Sequence, residues 1–161
     1  MKFRTLSSIF LLAQLAACSS FSQLTVPQAE IASNEARVDF YAQQWENEEE
    51  FVRLMCWNQR PSDEFRIRNI SAGEHVLFVT AAVVNSGTRQ KNRREAVVRL
   101  DADLEGGKRY SLAQSRKGDR MKVWIQETQT GLLASHVIDV EIGVPNFVGN
   151  SRLEQCKEGT V

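Results

Sequence analysis

The chain has 161 residues, 42% of them hydrophobic and 25% charged, and its 20 Lys and Arg balance 20 Asp and Glu. That length suits one domain of ordinary size, and the apolar content excludes a fully disordered chain. A formal net charge of zero argues against a nucleic-acid protein held by a broad basic field, and no apolar run reaches the roughly 18–20 residues of a membrane-spanning helix.

The first element in chain order is a processing signal. Lys2 and Arg4 form a short positive region, and an apolar run of about a dozen residues follows, from Leu6 to Ala17. It ends in Leu15-Ala16-Ala17-Cys18. Small residues followed directly by Cys resemble the bacterial lipobox. The resemblance implies cleavage after Ala17, a diacylglycerol on the Cys18 thiol and an acyl chain on its freed amine. Ser19 rather than Asp follows the Cys, which by likeness to enterobacterial sorting patterns implies the outer membrane, with the protein facing the periplasm. One acyl chain anchors marginally, at about 0.8 kcal/mol per buried methylene, whereas two or three hold stably. An ordinary secretory signal with a chance Cys is the other reading. A buried N-terminal helix is opposed by the missing cap and by Ser19, Ser20 and Ser22 directly after the run. The organisation is then a signal over 1–17, a lipidated Cys and flexible tether over 18–36, and one domain over 37–161.

The tether is polar, contains Pro27, and as a flexible coil would span about 20–25 Å. From Arg37 the pattern turns strand-like. Val38, Phe40 and Ala42 alternate with Asp39, Tyr41 and Gln43. Glu46 to Glu50 reads as a solvated acidic turn, followed by an apolar run from Phe51 to Trp57. A loop at Pro61 precedes a third strand over Phe65–Ile70, and Ser71-Ala72-Gly73 supplies a turn. Glu74 to Val84 is β-branched and aromatic and apolar on both faces, the pattern of a central strand. A basic loop, Arg89 to Arg94, leads into a strand that alternates Ala96, Val98 and Leu100 with polar partners. Lys108 to Gln114 is next. Lys117-Gly118-Asp119 makes a tight hairpin into Met121, Val123 and Ile125, and Thr128 to Gly131 makes another into a strand over Leu132–Ile142. The tail after Gly143 reads as irregular as far as Cys156.

Seven to eight strands with turn signals between them and no long helix predict an all-β, single antiparallel β-sandwich of Ig-like type, or a partly open barrel. The expected core is Val76, Phe78, Val98, Leu100, Tyr110, Leu112, Met121, Val123, Ile125, Val137 and Val140. Ile70 to Val79 resembles a strand of PEGA-like bacterial β-sandwich domains, and Gly106 to Leu112 resembles a later strand of the same domains. Gly118 to Ile125, with Thr130-Gly131, is similar to the closing hairpin of uncharacterised lipoproteins of this kind. The resemblance covers about residues 65–135 and has no counterpart of the PEGA-type segment before Phe65. It implies a binding or assembly module and supplies no catalytic residues.

Outside the signal the cysteines are Cys56 and Cys156, 100 positions apart. An oxidising periplasm permits one disulfide between them, which in the chain-entropy model contributes about 4–5 kcal/mol and pins the C-terminal tail. Free buried thiols or metal ligands are the alternatives, but no CxxC or HxxxH spacing accompanies them. No GxSxG elbow, phosphate cradle or calcium loop occurs, so the expectation is a non-enzymatic protein without a metal or cofactor beyond the lipid on Cys18. His136 shares an alternating face with Ile138 and Val140 and reads as a core histidine, with a buried base or pH sensor as the sharper alternative. His75 reads as a structural turn position.

Two surface features point to ligands. Arg89, Lys91, Arg93 and Arg94 place four cations in six residues, a candidate patch for anionic headgroups or an acidic partner, or simply a solvated loop. Trp45, Trp57 and Trp124 would make an aromatic platform for glycan if they shared an exposed face. The expected partners are the membrane, through the anchor, and an envelope protein, through a sheet edge or patch. Glycan or anionic lipid is the alternative, and nucleic acid is not expected.

Overall fold

The computed structural model describes residues 30–62, 64–85, 92–145 and 149–159. The segment expected to be the signal, Cys18, most of the expected tether, Arg89 and Lys91 lie outside the described residues. The strands are β1 (Glu35–Asp39), β2 (Tyr41–Gln44), β3 (Glu48–Leu54), β4 (Cys56–Trp57), β5 (Arg60–Pro61), β6 (Arg68–Ser71), β7 (Gly73–Asn85), β8 (Arg93–Leu104), β9 (Arg109–Lys117), β10 (Arg120–Glu127) and β11 (Ile138–Glu141). One helix follows, α1 (Gly149–Glu158).

The architecture is an all-β sandwich. One sheet runs β11-β10-β9-β1-β6, the other β2-β3-β7-β8, and β4-β5 is a small separate hairpin. Pairings are antiparallel except β1 on β9. The strand count exceeds the expected seven to eight because the short β4 and β5 stand apart from β3 and the single strand foreseen around Arg37–Gln43 is two. It breaks at Phe40, and its halves join different sheets. β1 also begins at Glu35, and Ala36 is fully buried, so the last residues assigned to the tether belong to the sandwich.

The core lies between the sheets. Ala36, Val38, Tyr110, Leu112, Met121, Val123 and Ile125 from the first sheet meet Val52, Leu77, Val79, Val98 and Leu100 from the second. A side chain of this kind taken fully out of water contributes about 1.5–3 kcal/mol. Two glycines serve this geometry. A Cβ on Gly106 would fall 1.8 Å from the Ser33 carbonyl oxygen, so the chain entering β9 packs directly on the backbone leading to β1. Gly118 holds φ at +63° in the β9–β10 hairpin, where an L side chain is strained.

Several expectations are corrected. On β7 the inward residues are Leu77, Val79, Ala81 and Val83, so Val76 and Phe78 point to the other face. Phe78 is buried there by Met55 and the Cys56–Cys156 disulfide, not by the opposite sheet. The tail is not irregular up to Cys156, because α1 lies over this face. Gly159 comes so close that a Cβ on it would sit 3.2 Å from the Phe78 ring. Glu46 to Glu50 is not one solvated turn, because Glu48 to Glu50 open β3 and Glu50 is 5% exposed. The strand expected over Leu132–Ile142 shrinks to β11. Its first half instead bridges the open side of the sandwich: the Ala134 amide donates to the Ile125 carbonyl, and the Asp103 amide donates to the Ala134 carbonyl. Along it Val137 and His136 face solvent, and neither is a core residue.

Candidate functional site

Among the described residues the bridging segment carries the largest grouping of exposed aliphatic side chains near one another in sequence. Leu132 is 67% exposed, Leu133 57% and Val137 45%. The turn that presents Leu132 and Leu133 is locked by its own hydrogen bonds. The Gly131 amide donates to the Glu127 carbonyl at 2.9 Å, and the Glu127 amide donates to the Leu132 carbonyl at 2.8 Å. Thr130 Oγ1 donates to the Glu127 carboxylate at 2.5 Å and accepts from the Leu132 amide at 3.2 Å. The side chains are therefore held outward on a short rigid loop, and their exposure does not come from a slack chain.

Leu132 and Leu133 wall a shallow cleft of about 230 Å³ with Asp103, Glu105, Lys108, Tyr110 and Glu127. The Tyr110 hydroxyl accepts from the Glu105 amide at 2.8 Å and orders its floor. Lys108 reaches Glu105 at 2.8 Å and Glu127 at 3.8 Å. The Glu105 hydrogen bond raises the Lys108 pKa above its ordinary value. Three carboxylates against one ammonium leave the rim acidic beside the aliphatic pair.

A second cleft, of about 540 Å³, opens at the end of the sandwich where β2 and β3 lie over β9. Its polar floor is Glu50, Arg116, Gln114, Glu48 and Tyr41. Arg116 Nε donates to Glu50 at 2.6 Å and Nη2 to Glu48 at 2.6 Å, while Gln114 Nε2 donates to Glu50 at 2.5 Å. Burial works against the Arg116 charge, but the hydrogen bonds and negative charges of Glu50 and Glu48 together raise its pKa. Sequence reasoning missed this cluster. A signal was present: in an extended chain Glu48, Glu50 and Val52 share one face, so an acidic run leading into an apolar strand sends carboxylates inward.

The expected site residues are scattered. Trp45, 51% exposed, stands in the β2–β3 turn at the mouth of the second cleft. Trp57 is half-buried against the core under the Arg68 guanidinium, 4.4 Å from the ring centroid. Trp124 lies on the outward face of β10, where its indole N–H donates to Gln126 at 2.7 Å. The three do not form one platform. Of the basic four, Arg93 and Arg94 sit in β8 rather than in a loop. Arg93 pairs with buried Glu95 at 2.5 Å and covers the Phe51 ring, and Arg94 pairs with Asp119 and the Ile142 carbonyl. Their charge is spent inside the molecule. His75 is buried and its Nε2 donates to the Ser71 carbonyl at 2.6 Å, closing the β6–β7 corner. Cys56 and Cys156 are bonded to each other, with Cα atoms 5.2 Å apart. Among the described residues no group of His, Cys, Asp and Glu is arranged to hold a metal, and no helix is long and apolar enough to cross a membrane.

No protein family matches the chain, and neither a curated protein nor a solved structure is significantly similar to it.

Proposed function

We propose that this chain is a lipid-anchored accessory protein of the bacterial envelope that acts by binding a partner protein rather than by catalysis. In this reading Cys18 carries the diacylglycerol and N-acyl chain, and the tether holds the sandwich at the outer membrane, facing the periplasm. The lipobox-like Leu15-Ala16-Ala17-Cys18 supports the anchor. The Cys56–Cys156 disulfide suits an oxidising compartment. The observation that carries the binding role is the exposed Leu132–Leu133 pair, held on a hydrogen-bonded turn beside an acidic rim. Such a face fits a partner segment with aliphatic and basic side chains.

The test is in-cell crosslinking from a photoreactive residue at Leu133, followed by mass spectrometry of the outer-membrane fraction. One dominant protein adduct, lost in Leu132→Asp, is expected. Glycan or lipid without a protein adduct would sink the binding role. The anchor is tested separately by the intact mass of the mature protein, and a species starting at Cys18 without added lipid mass would sink it.

A further inference from the structure

We infer that the cleft beneath Trp45 is a binding site for a neutral oligosaccharide. The site is independent of the Leu132–Leu133 face and is built by different elements.

Its volume, about 540 Å³, lies within the range of small-ligand sites. Its lining excludes other classes of ligand. Two carboxylates, Glu48 and Glu50, outnumber the one guanidinium of Arg116, so the floor repels phosphates and acidic sugars. The guanidinium is engaged on Glu50, on Glu48 and on the Gly118 carbonyl at 3.3 Å, which leaves no free cationic fork to grip an anion. Among the described residues no aliphatic side chain lines the cleft, which gives little hold to an acyl chain or an apolar peptide.

What remains is an aromatic side chain lining the cleft together with polar hydrogen-bonding groups. The Trp45 indole is half-exposed at the rim, and its ring N–H has no partner among the described residues. A pyranose presents C–H groups on its faces, which pack on an indole, and hydroxyls around its edge, which need paired donors and acceptors. The floor supplies acceptors for these hydroxyls in fixed positions, the Glu48 and Glu50 carboxylates first among them. Tyr41 donates its hydroxyl proton to Gln43 at 2.6 Å and accepts from Gln114 at 3.3 Å, while Gln114 is held on Glu50. The Gln114 amide oxygen is a buried acceptor with no partner among the described residues, and a small turn of the side chain would offer it to a sugar hydroxyl. Because Arg116 and Glu50 already hold each other, the floor needs little ordering when the ligand arrives.

The experiment titrates the purified full chain with cellotetraose, maltotetraose, chitotetraose and, as an anionic control, trigalacturonate. Calorimetry and tryptophan fluorescence are the readouts. Saturable binding of at least one neutral tetrasaccharide is expected, with Kd at or below about the millimolar level. Trp45→Ala is expected to weaken it at least about tenfold with an unchanged melting temperature, because that side chain is largely in solvent. Trp124→Ala leaves the Kd unchanged. Gln114→Ala, which keeps the exposed ring, weakens binding as well, so the floor is tested without relying on one variant. Absence of saturable binding by all three neutral sugars overturns the site. Tighter binding of trigalacturonate, or wild-type affinity in Trp45→Ala, overturns it equally.

Discussion

The outward faces of the two sheets were solved in opposite ways. On the β2-β3-β7-β8 sheet the outer face is apolar and roofed. Phe78 lies under α1, Met55 and the disulfide, and Phe51, Ala82 and Val84 form a second buried group. Phe65 packs edge-on against Phe51 at 5.0 Å, and the Arg53 guanidinium covers both rings. Arg152 of α1 reaches buried Glu95 on β8, so a charge pair and a covalent bond both hold the roof. On the β11-β10-β9-β1-β6 sheet the outer face is charged. Arg120 pairs with Asp139 at 3.0 Å, Arg109 with Asp39 at 3.4 Å, and Lys122 is exposed between them and Trp124. One sheet therefore needs a third layer and the other does not. The lesson is that apolar residues on both faces of a strand call for two coverings, and the second need not be another sheet.

The largest expected effect breaks the roof. Replacing Cys56 and Cys156 together with Ala is expected to lower stability by about 4–5 kcal/mol at the upper limit, since the closed loop spans 100 positions. Urea unfolding measures it, and increased dye binding by the native protein would mark exposure of Phe78. A double variant as stable as wild type would mean that α1 is not needed over this face. Next, Glu50→Ala leaves Arg116 and Gln114 without their shared buried acceptor and is expected to cost about 1.5–3 kcal/mol. A smaller loss would show that the β3–β9 cluster is solvated rather than structural. On the charged face, Lys122→Ser is expected to stay within about 0.5 kcal/mol of wild type, and a larger loss would show a covering there.

The smallest effect concerns pH. Burial raises the Asp39 pKa above its ordinary 3.8, against the lowering pull of Arg109 and then Arg37. The folded state then holds this proton to a higher pH than the unfolded state does. The contribution of Asp39 to stability therefore falls as pH rises from 3.8 through the folded value, and stays low above it. Asp39→Asn removes that slope. Chemical denaturation of both proteins at several pH values from 3 to 7 checks it, and a wild-type-minus-variant difference that rises with pH would contradict the assignment.

Much of the architecture was legible in the residues. Alternation in Met121-Lys122-Val123-Trp124-Ile125 fixes which side of β10 is wet, and Gly118 with its neighbours marks the hairpin before it. The continuous apolar run of β7 announced burial on both sides. It did not say which side met the other sheet, because with no polar residue to mark a face either register buries the same kind of surface. Cys56 and Cys156 were legible as a pair by elimination, but α1 was not legible as a roof. Its segment, Gly149 to Glu158, is largely polar, and its hold comes from Cys156 and Arg152 rather than from an apolar stripe.

The candidate surfaces were less legible still. Leu132, Leu133 and Val137 have the composition of a buried strand. They stand in solvent because backbone bonds at Ala134 carry the segment across the open side between β8 and β10, with Ala134 packed against the core. Glu48 and Glu50 have the composition of a solvated turn, and they are held inward because Arg116 and Gln114 on β9 meet them from the other sheet. By itself the sequence determined the class of the fold, several of the turns and most core positions, since these follow from local periodicity and turn chemistry. Tertiary structure decided which exposed residues could act together. That depends on which strands lie over one another and on partners more than 60 positions apart, as for Glu50 with Arg116, and no local pattern encodes it.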